Sequence, residues 1–144
     1  MEPIIDNTQL DCELQELYME SSHWISDINF VEDEIKFLKK VLNGYLIYAD
    51  NLQLNEADNF IKVLDLQEKE ALGIKTKIHD FLKFIEPLVT NTRDKIGIDL
   101  IEKFISLQTE MASLTEYVKL NKNLVFSFIE EAIKMGKYTD VSVL

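Results

Sequence analysis

The sequence predicts an all-α fold: an antiparallel, up-down-up bundle of three long helices with coiled-coil-like heptad packing. Three observations carry that reading. Apolar residues recur in alternating steps of three and four over three long stretches, a period that keeps one stripe of a helix turned toward its partners. The chain of 144 residues holds only four glycines and two prolines, too few for the many turns of an all-β fold. Polar, turn-forming residues gather between the stretches, at Asp50, Asn51 and Asn55 and again at Thr90, Asn91 and Thr92.

The first stretch runs through Leu10, Leu14, Leu17, Ser21, Trp24, Ile28, Val31, Ile35, Leu38, Leu42, Tyr45, Ala49 and Leu52. Gly44 falls inside it, but the register survives past the glycine, so the helix is expected over 9–52. Asn55 with Asp58 three residues on reads as a capping pair for a second helix. That helix follows Phe60, Leu64, Gln67, Ala71, Ile74, Ile78, Phe81, Ile85 and Leu88, and Pro87 is expected to close it, giving 55–88. The third helix follows Leu100, Phe104, Leu107, Met111, Leu114, Val118, Asn121, Val125, Phe128, Ala132 and Met135, with Asn91 and Asp94 as its cap and Gly136 as its stop. It is expected over 92–136, with an irregular tail at 137–144. Rods of about 45–65 Å joined by short connections align as neighbours running in opposite directions. No linker or repeat divides the chain, so 1–144 reads as one domain.

The stripes are wider than a two-stranded seam needs. Tyr18, Ile25, Val41 and Leu46 flank the first, Ile61, Val63, Leu82 and Phe84 the second, and Ile101, Tyr117, Leu124 and Ile129 the third. Such width suits helices that each touch two others. Further round lie Phe30 and Phe37, one heptad apart, and a second line through Ile98, Ile105, Phe126 and Ile133. Apolar lines left outside a core mark interfaces. Phe30, Phe37, Ile105, Phe126 and Ile133 are therefore the candidate contacts of a homo-oligomer, with a dimer favoured, or of a protein partner; the competing reading packs them inside one chain. Three polar residues, Ser21, Gln67 and Asn121, occupy core positions. A buried polar group must be paired, and such pairs fix register in coiled coils; alternatively the three lie near water at the bundle ends.

Chemistry is sparse. Glu20 and His23 form the Glu-x-x-His fragment of di-iron bundles, which need a second copy of it, and His79 has Thr76 in the glutamate's place. His79 with Lys83 loosely fits a phosphate-accepting histidine, but Phe84 stands where such sites need a small residue. The glycines are isolated, so no phosphate loop exists. Cys12 falls on the outer face of the first heptad, with no histidine partner legible near it. Glu32, Asp33 and Glu34, like Glu130 and Glu131, point in different directions on a helix and read as solvated surface. No catalytic, cofactor-binding or metal-ligating residues are assigned, no cofactor is implied, and the chain is read as no enzyme.

The formal charge of −11 opposes nucleic acid and anionic membrane, both of which recruit Lys and Arg. One cysteine suits a reducing compartment. Residues 1–10 lack the basic and apolar regions of a secretory signal, and no run reaches the roughly 18 apolar residues of a membrane span. A cytoplasmic location is expected.

The stretch from Ser22 to Leu38, with Trp24, Phe30 and the run Asp33-Glu34-Ile35, resembles the opening helix of a group of short helical-bundle proteins of Bacteroidetes-type bacteria. The resemblance covers about a quarter of the chain. It implies a bacterial cytosolic bundle and no activity. Two functional readings follow from the sequence: a non-catalytic, self-associating module for protein–protein contact or scaffolding, and, as alternative, a site-bearing bundle, either a metal-carboxylate protein or a phosphotransfer acceptor through His79.

Overall fold

The structure, a computed structural model, describes residues 7–45, 51–90 and 97–143, with side chains over 12–45, 54–89 and 97–135. It is all-helical: α1 (Asn7–Tyr45), α2 (Asn51–Thr90) and α3 (Ile98–Val143) pack against one another as a three-helix, up-down-up bundle. The heptad explains why. Most described seam positions that the spacing marks are buried, from Leu14, Ile28, Ile35, Leu38 and Leu42 in α1 through Leu64, Ile74, Ile78 and Ile85 in α2 to Leu100, Leu114, Val118 and Val125 in α3; Leu17, Tyr45, Phe60, Leu88, Phe128 and Ala132 are half-buried, and Met135 is exposed. Burying one such side chain contributes about 1.5–3 kcal/mol. Each helix is long enough to add many of them, which offsets a backbone ordering cost of about 1–2 kcal/mol per residue.

The helix limits differ from expectation. Leu52 belongs to α2, not α1, because α2 begins at Asn51 and Asn55 and Asp58 are exposed residues inside it. The buried Ala57 and half-buried Leu54 lengthen the second stripe at this end, and a stripe that keeps its period on both sides of a turn does not mark the turn. Residues 46–50, with the expected core position Ala49 and its neighbour Leu46, lie outside the described residues. Gly44 is helical and without positive φ, but α1 is described only to Tyr45, so the expected continuation past it lies outside the described residues. Pro87 does not close α2, which continues to Thr90. Its missing N–H and its ring both disturb the carbonyl four residues earlier, that of Lys83, but neither prevents the three residues after it from keeping helical geometry.

Helix α3 starts at Ile98 rather than 92, after Gly97, whose carbonyl accepts a hydrogen bond from the Leu100 N–H at 3.2 Å. Asp99 in the first turn faces the positive end of the helix dipole. The expected cap at Asn91 and Asp94 lies outside the described residues. The tail is helical through Val143, so Gly136 is not a stop. A glycine permits the left-handed turn that ends a helix but does not impose it, and no other glycine or proline follows.

Contacts divide the chain into two compact units. Unit 1 comprises Met1–Phe30 and Leu72–Ser113, and unit 2 comprises Val31–Ala71 and Leu114–Leu144. Each contains a segment of all three helices. In unit 1 the centre is aromatic: Trp24 lies 4.9 Å from Phe104 and 6.5 Å from Phe81, and those two rings are 6.2 Å apart, all tilted. Such geometry satisfies the ring quadrupoles and adds about 0.5–1.5 kcal/mol per pair beyond burial. Ser21, fully buried in the same unit, donates its hydroxyl to the Leu17 carbonyl one turn earlier at 2.6 Å. In unit 2 the centre carries polar atoms from two helices: the Asn121 amide nitrogen donates to Gln67 Oε1 at 3.3 Å, and both residues are buried. Phe60 and Phe128 pack 5.5 Å apart in that unit. As numbers rise from 60 to 67 on α2, partners fall from 128 to 121 on α3, so these segments are antiparallel.

Candidate interface surfaces

A three-helix bundle has three grooves, and the residues lining each follow from the heptad. A residue one step before or after a seam position lies about 100° round the helix, on the shoulder of a groove. Cross-helix bonds then show which shoulders meet. In unit 1, Gln108 Nε2 donates to Glu20 Oε1 at 3.3 Å. In unit 2, the Lys122 ammonium donates to Glu34 at 2.8 Å and lies 5.9 Å from the centre of the Phe126 ring. Glu20 and Glu34 precede seam residues of α1, whereas Gln108 and Lys122 follow seam residues of α3. The groove between α1 and α3 is therefore lined by the first kind of row on α1 and the second kind on α3.

All five interface candidates belong to those rows. In unit 1, Phe30 precedes Val31 and Ile105 follows Phe104; they are 64% and 53% exposed. In unit 2, Phe37 precedes Leu38 and is 55% exposed, while Phe126 and Ile133 are half-buried. Ile98, on the second line, is exposed. The candidates thus fall on the rows that face the α1–α3 side, Phe30 and Ile105 in unit 1 and Phe37, Phe126 and Ile133 in unit 2. Of the flanking residues, Tyr18, Ile25 and Val41 of α1 and Ile61 and Leu82 of α2 are half-buried, Val63 and Phe84 of α2 and Ile101, Tyr117 and Leu124 of α3 are exposed, and Ile129 of α3 is buried in the core.

Between α2 and α3 each unit has a groove, and the two grooves are nearly equal in volume, about 570 Å³ in unit 1 and about 550 Å³ in unit 2. Their linings differ. In unit 1, Lys77 bridges both carboxylate oxygens of Glu110 at 2.9 and 3.3 Å, and Lys103 caps the Phe84 ring at 4.1 Å. In unit 2, Val63 and Leu124 stand exposed over the Phe60–Phe128 pair. Leu66 and Leu120 lie one turn along from them, also exposed, and neither is among the candidates that the sequence pattern suggests. The signal is present all the same, as Tyr117, Leu120 and Leu124 repeat the three-four spacing one step off the seam. Between α1 and α2, in unit 2, Lys39 bridges Asp65 and Glu68. Hydrogen bonds to Asp65 first and Glu68 second, helped by both negative charges, hold its pKa above the ordinary lysine value against a smaller effect of burial.

The residues weighed for chemistry stand apart. Cys12, His23 and His79 are exposed, and Glu20 is engaged with Gln108 rather than turned to His23. Among the described residues no three His, Cys, Asp or Glu side chains gather closely enough to hold a metal ion. No helix among them is long and apolar enough to cross a membrane.

No family model matches the chain, and no solved structure matches it. It is 28% identical over 92 residues to the tRNA uridine 5-carboxymethylaminomethyl modification enzyme MnmG 1 of Fusobacterium nucleatum. That similarity takes in 60% of this chain but spans 14% of the enzyme's length.

Proposed function

We propose that this chain is a non-catalytic helical module that self-associates, as a dimer, through the groove between α1 and α3, and serves protein–protein contact or scaffolding in a reducing cytoplasm. The carrying observation is that Phe30, Phe37 and Ile105 are more than half exposed while occupying rows that line a single groove in each unit. Covering side chains of this size is worth about 1.5–3 kcal/mol each, so a few suffice to hold two chains together. The net charge of −11 adds long-range repulsion between copies that salt would screen. Covering 14% of a tRNA-modifying enzyme, the partial similarity transfers neither its activity nor its substrate, and the acidic surface is a poor match for tRNA.

Light scattering across micromolar concentrations tests this. The expected mass is twice 16.8 kDa, falling to one chain in Phe37→Glu and Phe30→Glu. A strict monomer at high micromolar concentration removes the self-association. Among the described residues the site-bearing alternative, a metal-carboxylate protein or a phosphate acceptor through His79, is favoured by no observation beyond the exposure of His79; near-stoichiometric bound iron or manganese, or a phosphohistidine lost in His79→Ala, would replace the proposal.

A further inference from the structure

We infer that the α2–α3 groove of unit 2 is a seat for a single amphipathic helix of a different protein, one with an apolar line bounded by lysines or arginines. The floor is built. Val63 and Leu66 on α2 and Leu120 and Leu124 on α3 are each at least 41% exposed, and Tyr117 extends the α3 row by three residues. Beneath them the Asn121–Gln67 hydrogen bond joins the seam residues next to Leu120 and Leu66, holding the two rows side by side. From Glu56 to Glu70 the groove is about 20 Å long at 1.5 Å per residue, about four turns of a seated helix. Knobs at every third and fourth position of such a helix would drop between the two rows, as in helix-in-groove recognition.

Charge selects the occupant. Glu56 and Glu131 line the groove at one end, and Glu70 follows Leu66 by one turn at the other, exposed. From Glu56 to Glu70 on α2 and from Tyr117 to Glu131 on α3 neither row carries a lysine or arginine; Lys134 continues the α3 row beyond Glu131, outside the groove's lining, and Lys62 and Lys69 fall a further 100° round α2, away from the groove. Two copies placed groove to groove would set these carboxylates against the same carboxylates, a like-charge contact that opposes pairing. A helix with cationic ends meets the opposite sign at both. In unit 1 the equivalent groove is occupied by its own charges, Lys77 with Glu110 and Lys103 over Phe84, and offers no such seat. The surface differs from the α1–α3 rows of the proposed dimer, so either proposal can fail alone.

The test uses the full chain and a fluorescent 18-residue synthetic helix, with leucines at three-four spacing and lysines in its first and last turns. The expected result is low-micromolar binding by anisotropy, weakened at least tenfold when the peptide's lysines are replaced by glutamates. It should also weaken at least tenfold in the double variant Leu120→Glu, Leu124→Glu, whose substituted positions are exposed, and stay unchanged in Phe37→Glu. As a second arm, Glu56→Lys with Glu131→Lys should favour the glutamate peptide. No binding, binding equal in the Leu120→Glu, Leu124→Glu variant, or failure of the lysine substitutions to shift the preference overturns the inference. So does loss of self-association in the leucine variant, which would give the groove to a second copy.

Discussion

The two units solve the same packing problem with different material. Unit 1 fills its centre with Trp24, Phe81 and Phe104 and closes its α2–α3 groove with Lys77, Glu110 and Lys103. Unit 2 puts a Gln67–Asn121 hydrogen bond in its centre and leaves Val63, Leu66, Leu120 and Leu124 exposed above it. The heptad runs through both, although in unit 2 Ile129 rather than Phe128 is buried and Met135 is exposed. The difference shows that the period of a helix specifies what is buried, while the residues one step off the seam decide whether a groove is finished or left for a partner.

The sharpest way to break the comparison is to empty the aromatic centre. Trp24→Ala should destabilise the protein by about 3–5 kcal/mol, read as a fall in the urea midpoint, because the cavity between three rings cannot collapse. A loss below about 1 kcal/mol would mean that the rings are not the core of unit 1.

In unit 2 the discriminating change is polar. Asn121→Ala leaves Gln67 Oε1 buried without its donor and should cost about 1–3 kcal/mol. Replacing both, Gln67→Leu with Asn121→Leu, should recover most of that loss, since apolar residues of similar size fill the site without unmet hydrogen bonds. If the double variant keeps its stability but broadens its amide spectrum, the pair serves helix register rather than stability.

The smallest effect is electrostatic. The folded state raises the pKa of Lys39, so it binds that proton more tightly than the unfolded chain does. The resulting stability is fully present below the unfolded value of about 10.4 and is lost as pH rises through the higher folded value. Unfolding midpoints of the wild type and Lys39→Met should therefore keep a constant gap from neutral pH to about 10 and converge above it. With Asp65 and Glu68 both partly exposed, the gap is small. A gap that opens rather than closes at high pH would contradict the ion pair.

Much of the interior is legible in the chain's periodicity. Ser21, Gln67 and Asn121 stand out as polar residues at core spacing, and all three are buried. Their partners are not legible in the same way. Ser21 turns back on its own helix at the Leu17 carbonyl, whereas Asn121 reaches 54 residues along the chain to Gln67. That second pairing depends on how far one rod slides past another, a quantity no period within one helix contains. Helix ends depart from expectation for a related reason. Pro87 and Gly136 permit a stop, yet α2 and α3 run on past them.

Sequence alone determined that apolar side chains recurring on one stripe of three long segments must meet, because water excludes them and the helical period gives them a common side. It determined equally that polar atoms falling on that stripe must find partners. Tertiary structure decided which shoulders those helices leave exposed, with Phe30 and Ile105 among them in unit 1 and Phe37 in unit 2, and that the α2–α3 groove carries Lys77–Glu110 and Lys103–Phe84 contacts in unit 1 but exposed Val63 and Leu124 beside glutamates in unit 2. The physical reason is that a groove is made by two helices at once: its lining depends on their relative rotation and offset, which only packing fixes.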